Sequence, residues 1–207
     1  MQVHYLRKYT HDRHKTADDK PYGGGAGMVM KPEPIFECLD DVLGTGKRRK
    51  KACVVLLEPQ GKPLSPKIAQ QLARKERLVL LAGHYEGVDY RVRQKLVDEE
   101  ISIGDFITMG GEAPALCLIE AVSRFIPGVL GNKESLKHES FQDGMLEYPQ
   151  YTRPREYRGM KVPDVLVSGN HQDVRAWREK EAEKRTRAVR PDLYQKLIAK
   201  KKRKKRG

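Results

Sequence analysis

Two glycine-punctuated turns hold the residues best suited to chemistry. The first, Leu80-Leu81-Ala82-Gly83-His84-Tyr85-Glu86-Gly87, ends an apolar run in two glycines that bracket three polar side chains. In open α/β sheets ligands bind beyond the carboxyl ends of strands, and glycine there lets a ligand approach the backbone closely. The second, Ile103-Gly104-Asp105-Phe106-Ile107-Thr108-Met109-Gly110-Gly111-Glu112, closes another apolar segment in paired glycines just before a helix. Two such loops can form one pocket whose peptide N–H and C=O groups hold a flat, polar cofactor. The competing reading is two unrelated turns.

Other motifs fail on spacing. Gly44-Thr45-Gly46-Lys47 lacks the earlier glycine and the following Ser or Thr of a phosphate loop. His11 and His14 are three apart but not in a helical context, and no third ligand is near. Cys38, Cys53 and Cys117 form no CxxC pair and are odd in number, which argues against a disulfide framework or a zinc site; they read as buried small hydrophobes in a reducing compartment.

The elements that must position the two loops follow an α/β pattern. The first thirty residues read as polar loop outside the core. A helix is expected over 33–42, with Ile35, Leu39 and Val42 on one face and Gly44 as its stop. Cys53–Leu57 and Leu78–Leu81 read as buried strands joined by a helix over 66–74, which implies a parallel sheet with a right-handed crossover. A further strand over 101–108 and a strong helix over 114–125 continue the pattern. Beyond a polar stretch, 162–167 reads as extended, and 171–187 and 191–199 as helices, with Trp177 as a single large anchor.

A formal charge of +13 on 207 residues suits a polyanionic partner. Most of it lies in the run Lys47–Lys51, expected in a connecting loop, and in the tail from Lys200 to Arg206, so the body is nearly neutral. Such runs equally fit a solvated loop and tail. No stretch reaches the roughly 18 apolar residues that a bilayer crossing needs, and the N-terminus lacks a signal-peptide apolar core. A cytoplasmic location is expected.

Several segments meet a known family. Thr10-His11-Asp12-Arg13-His14, Pro21–Met28, Gly83–Asp89, Ser102–Phe106, Gly110-Gly111-Glu112, Ser123–Leu130, Tyr151-Thr152-Arg153-Pro154 and Leu166–His171 resemble, in order, the bacterial tRNA (guanine-N1)-methyltransferases that modify guanosine 37. The resemblance implies a homodimeric α/β methyltransferase of the SPOUT class, its parallel sheet carrying a trefoil knot, with S-adenosylmethionine as cofactor and tRNA as partner; Mg2+ is an optional second cofactor with no ligand set assigned. It implies a knotted cofactor-binding domain over 1–127, a linker over 128–152, a helical tRNA-binding domain over 153–199 and a basic tail over 200–207.

By motif match Gly83, Ile103, Gly104, Asp105, Phe106, Ile107 and Thr108 contact the cofactor, with Leu57, Pro59, Tyr85, Gly110, Gly111 and Pro114 close by. His11, Asp12, Gly23, Gly24, Gly25 and Gly27 fall near the target base. Guanine N1 carries a proton at neutral pH, so transfer needs a base, and O6 needs a cation or donor as charge accumulates there. The family's arginine falls on Arg124. Its aspartate base falls on Glu139, one methylene longer, with Asp143 as a fallback, and Glu86 joins the reacting centre. Glu58 and Met109 stand where the family often has serine. The family's opening strand and helix have no counterpart here, and a misassigned start is the favoured account. A tRNA-binding protein of this fold with impaired catalysis is the alternative.

Overall fold

The computed structural model describes residues 1–44, 46–131 and 139–204. Thr45, linker residues 132–138 and tail residues 205–207 lie outside the described residues, as do the side chains of Lys47, Arg48, Arg203 and Lys204. The chain divides into two compact units, Met1–Leu130 and Gly131–Gly207.

The first unit begins with a 3-10 turn, Leu6–Tyr9, followed by an antiparallel pair of two-residue strands, β1 (Asp18–Asp19) and β2 (Val29–Met30). Then come α1 (Pro32–Leu43), α2 (Lys47–Lys50), β3 (Ala52–Pro63), α3 (Pro66–Ala73), β4 (Arg77–Ala82), α4 (Tyr90–Leu96), β5 (Glu99–Ser102) and α5 (Glu112–Ser123). The last three strands form a parallel sheet in the order β4-β3-β5. This is the expected α/β architecture.

Alternation along the central strand builds two cores. Val54 and Leu56 face one side, where they meet Ile35, Leu39 and Leu43 of α1 and Val92 of α4. Cys53, Val55 and Leu57 face the other, against Ala69 and Leu72 of α3 and Leu118 and Val122 of α5. Because both faces are covered there, residues 52–57 of β3 read as an unbroken apolar run. Helix α1 begins with prolines in its first turn and ends at Gly44, whose φ of 63° lets its N–H reach the Asp40 carbonyl over 2.9 Å. Ser65 caps α3 by accepting from the Ile68 N–H.

The structure corrects several expectations. The first thirty residues contribute to the core: Ala17 and Met30 are buried, and Met30 bridges to Val88. Part of the basic run is helical rather than loop. The strand expected over 101–108 spans only Glu99–Ser102, because the Ser102 hydroxyl engages both the N–H and the carbonyl of Gly104 and draws the chain off the ladder. Cys117 is exposed, since the buried stripe of α5 runs through Pro114, Leu118 and Val122. Helix α4 was not expected at all.

The second unit holds a short hairpin of β6 (Glu156–Tyr157) and β7 (Met160–Lys161), a 3-10 turn Asp164–Val167 where extended chain was expected, and helices α6 (His171–Val189) and α7 (Pro191–Lys204). Asn170 caps α6 by accepting from the N–H groups of Gln172 and Asp173. Ala182 and Thr186 are its buried residues among those described. Leu146 donates its N–H to the Thr186 hydroxyl over 2.8 Å, and that hydroxyl donates to the Ala182 carbonyl over 2.7 Å. Among the described residues no helix is long and apolar enough to cross a membrane.

Candidate active site

The two glycine turns meet. Gly111 donates its N–H to the Gly83 carbonyl over 2.7 Å, and His84 and Gly110 form an antiparallel bridge. A Cβ on Gly111 would lie 2.7 Å from the Ala82 Cα, and one on Gly110 would lie 2.8 Å from the His84 ring, so glycine is required for this approach. The contact is sealed by His84 Nε2 on a Glu112 carboxylate oxygen at 2.5 Å. The His84 hydrogen bond is the main reason the Glu112 carboxyl is held below the usual carboxylate range. Gly87 closes the first turn by donating to the His84 carbonyl.

Beyond β5 the chain from Ile103 to Met109 leaves the sheet, so its peptide groups are not spent on ladder pairing. Thr108 donates its hydroxyl to the Gly110 carbonyl, and the Phe106 ring lies over Gly104. Phe106, Ile107 and Tyr85 are exposed, Leu57 and Pro114 are buried, and Pro59 and Asp105 lie at the surface. Apolar side chains beside backbone donors and acceptors that the sheet ladder does not use suit a flat heterocycle.

The early glycine loop comes to the same place. Glu86 donates its N–H to the Met28 carbonyl, Met30 donates to the Gly87 carbonyl, and Asp89 donates to the Met30 carbonyl. A Cβ on Gly27 would meet the Glu86 carboxylate at 2.5 Å. Gly23, Gly24, Gly25 and Gly27 all have positive φ, a backbone conformation that side chains disfavour. His11 and Asp12 have local partners: the His11 ring sits 2.8 Å from Glu37 of α1, and Asp12 accepts from the Thr16 hydroxyl and N–H and the His14 N–H, which lowers its pKa.

One cluster escaped sequence reasoning. Arg93 of α4 donates from Nη1 to the Gln60 side chain over 3.0 Å, and its Nη2 lies 3.4 Å from Glu58 and 3.3 Å from Glu100. Burial pushes the Glu58 carboxyl up, while Arg93 pulls it down. The clamp holds the segment after Leu57, where the backbone of Gly61 lies so close to Glu100 and Ile101 that a Cβ would sit 2.5 Å away. Leu57 and Lys62 both register against Ile101. The one available signal was Glu58 departing from serine.

Arg124 directly follows α5 and is half-buried, in the first unit. Glu139 is half-buried in the second unit, and its carbonyl accepts from the Gln142 N–H. Asp143 is exposed. Among the described residues no three His, Cys, Asp or Glu side chains gather as a metal-holding group.

The chain is similar to known proteins over most of its length. The model of a family described as tRNA (Guanine-1)-methyltransferase TrmD matches residues 1–196. A tRNA (guanine-N(1)-)-methyltransferase of Dictyoglomus turgidum is 53% identical over 196 residues, covering 95% of this chain and 78% of the relative. One of Dehalococcoides mccartyi is 51% identical over 197 residues, covering 95% and 79%. One of Lachnospira eligens is 47% identical over 201 residues, covering 97% and 84%.

Proposed function

The chain belongs to the tRNA (guanine-1)-methyltransferase family, and from that premise we propose that it transfers a methyl group from S-adenosylmethionine to N1 of guanosine 37 in tRNA. The observation that carries the reading is the junction of the two glycine turns by Gly111 and Gly83, with the Gly23–Gly27 loop brought against Glu86 beside it. The two joined turns and the early glycine loop thus lie side by side.

Leu57, Gly83, Phe106, Ile107 and the peptide groups of Ile103–Thr108 would hold S-adenosylmethionine, which supplies an electrophilic methyl group on a sulfonium centre. Glu139 takes the N1 proton of guanine, and Arg124 balances charge accumulating on O6. Glu86 and the Gly23–Gly27 loop orient the base. The close crossing of the segment after Leu57 over β5 is the kind of contact that a knot requires. Homodimer formation is supported by Ile107, Met109, Leu116, Ile126 and Val129, large apolar side chains that a lone chain leaves exposed. A cytoplasmic location fits an enzyme acting on tRNA.

The test pairs two tRNA transcripts that differ only at position 37, guanosine against adenosine, incubated with the chain and methyl-labelled S-adenosylmethionine. Label in the guanosine transcript alone is expected. Equal labelling of both, or of neither, overturns the reading.

A further inference from the structure

The second unit contains a cavity of about 400 Å3, within the roughly 300–1,000 Å3 range of small-ligand sites. Its lining combines two aromatic rings, Tyr148 and Tyr151, with three arginines, Arg153, Arg155 and Arg178, and apolar side chains that include Leu166. No acidic side chain is among the described residues that line it. Arg155 is engaged by Asp164 at 2.8 Å. Arg178 lies over the Tyr148 ring, 4.8 Å from its centroid, which fixes that ring while leaving a cation at the rim. Tyr151 is 49% exposed, and its ring lies tilted against Trp177 at 6.3 Å between centroids. Arg153 is exposed.

A half-exposed aromatic ring packed on a second one, in a cavity lined by cations, matches one chemistry. Proteins hold an unpaired nucleotide by stacking its base on an aromatic ring and meeting its phosphate with arginine. An acidic peptide would use the arginines but gain nothing from the open Tyr151 face. An apolar ligand would strand the cations.

We propose that this cavity captures one unpaired nucleotide of the substrate RNA, its base stacked on Tyr151 and its phosphate met by Arg153 and Arg178. The site rests on the tRNA reading above and adds to it a contact made wholly within the second unit. Stacking is tolerant of base identity, so the site contributes affinity rather than a choice of base.

The experiment uses the full chain and the same two transcripts, guanosine or adenosine at position 37. Dissociation constants are measured by filter binding across a salt series, alongside quenching of Trp177, the one tryptophan in the sequence. Tyr151→Ala is expected to weaken both transcripts by about 5- to 100-fold, the loss of one base stack, without changing the salt slope, and Tyr151→Phe is expected to bind like the parent. Arg153→Gln is expected to weaken both and to lower the salt slope by about one; it carries the test alone if Tyr151→Ala does not fold. Parent-like binding by Tyr151→Ala, or an unchanged salt slope in Arg153→Gln, overturns the site. If the parent labels guanosine 37 while Tyr151→Ala binds like it, the site falls and the methyl-transfer reading stands. If the parent labels neither transcript yet Tyr151→Ala loses binding, the reading falls and the site stands.

Discussion

Gly111 donates its peptide N–H to the Gly83 carbonyl over 2.7 Å, and a Cβ on Gly111 would lie 2.7 Å from the Ala82 Cα. Backbone cannot yield as a flexible side chain can, so Gly111→Ala forces the turns apart. It is expected to cost about 1–3 kcal/mol in chemical denaturation, as overpacking does, and to weaken S-adenosylmethionine binding in calorimetry. Gly131→Ala, with nothing within 4 Å of the added methyl, is the control, expected to stay within about 0.5 kcal/mol of the parent.

Glu112 ties the second turn to His84, and its carboxyl is held below its ordinary range chiefly by that hydrogen bond. For an acid whose folded pKa is depressed, the stabilisation is present above the ordinary carboxylate value and is lost as pH falls through the lowered one. Glu112→Gln is therefore expected to flatten the acid limb of the stability curve. His84→Ala is expected to return the Glu112 titration, followed by carbon NMR of the labelled carboxyl, to the ordinary range. An unmoved titration would show that His84 is not the cause.

How much of this was legible beforehand follows from where the signals lie. The stripe Ile35, Leu39 and Val42, the run Cys53–Leu57 and the stripe Leu118 and Val122 announce themselves by period, because each buries one face or both. Helix α4 did not: Val92 alone is buried in it, and Arg91, Arg93 and Lys95 mask its pattern. The early end of β5 depends on one hydroxyl, that of Ser102, and the burial of Met30 depends on pairing with Val88, fifty-eight positions on. Local pattern carries neither. In the candidate site the glycines marked both turns, yet their junction, and the approach of Gly27 to Glu86, arise from long-range hydrogen bonds. Arg124 and Glu139 came from resemblance and not from period or spacing.

The second unit has a thin core, so one buried hydroxyl matters. Thr186 accepts the Leu146 N–H while donating to the Ala182 carbonyl. Thr186→Val keeps the shape and leaves that N–H unpaired, which is expected to cost about 1–3 kcal/mol and to speed amide exchange at Leu146. Thr186→Ser, which keeps the hydroxyl, is expected to preserve slow exchange. Equal exchange in the two variants would assign the effect to packing instead.

The proposed chemistry makes its own demand on Glu139 and Arg124. A base that removes the N1 proton contributes about 10²–10⁴-fold, so Glu139→Gln is expected to lower the methyl-transfer rate by that factor in single-turnover assays with both S-adenosylmethionine and tRNA bound. Glu139→Asp restores the carboxylate one methylene shorter and is expected to keep most of the rate. Arg124→Gln is expected to lower the rate by about 10²–10³-fold, the loss of one donor to a developing oxyanion. If Glu139→Gln instead weakens tRNA binding and leaves the single-turnover rate intact, the residue positions the RNA, and the proton must go to another acceptor, Asp143 being the first to replace.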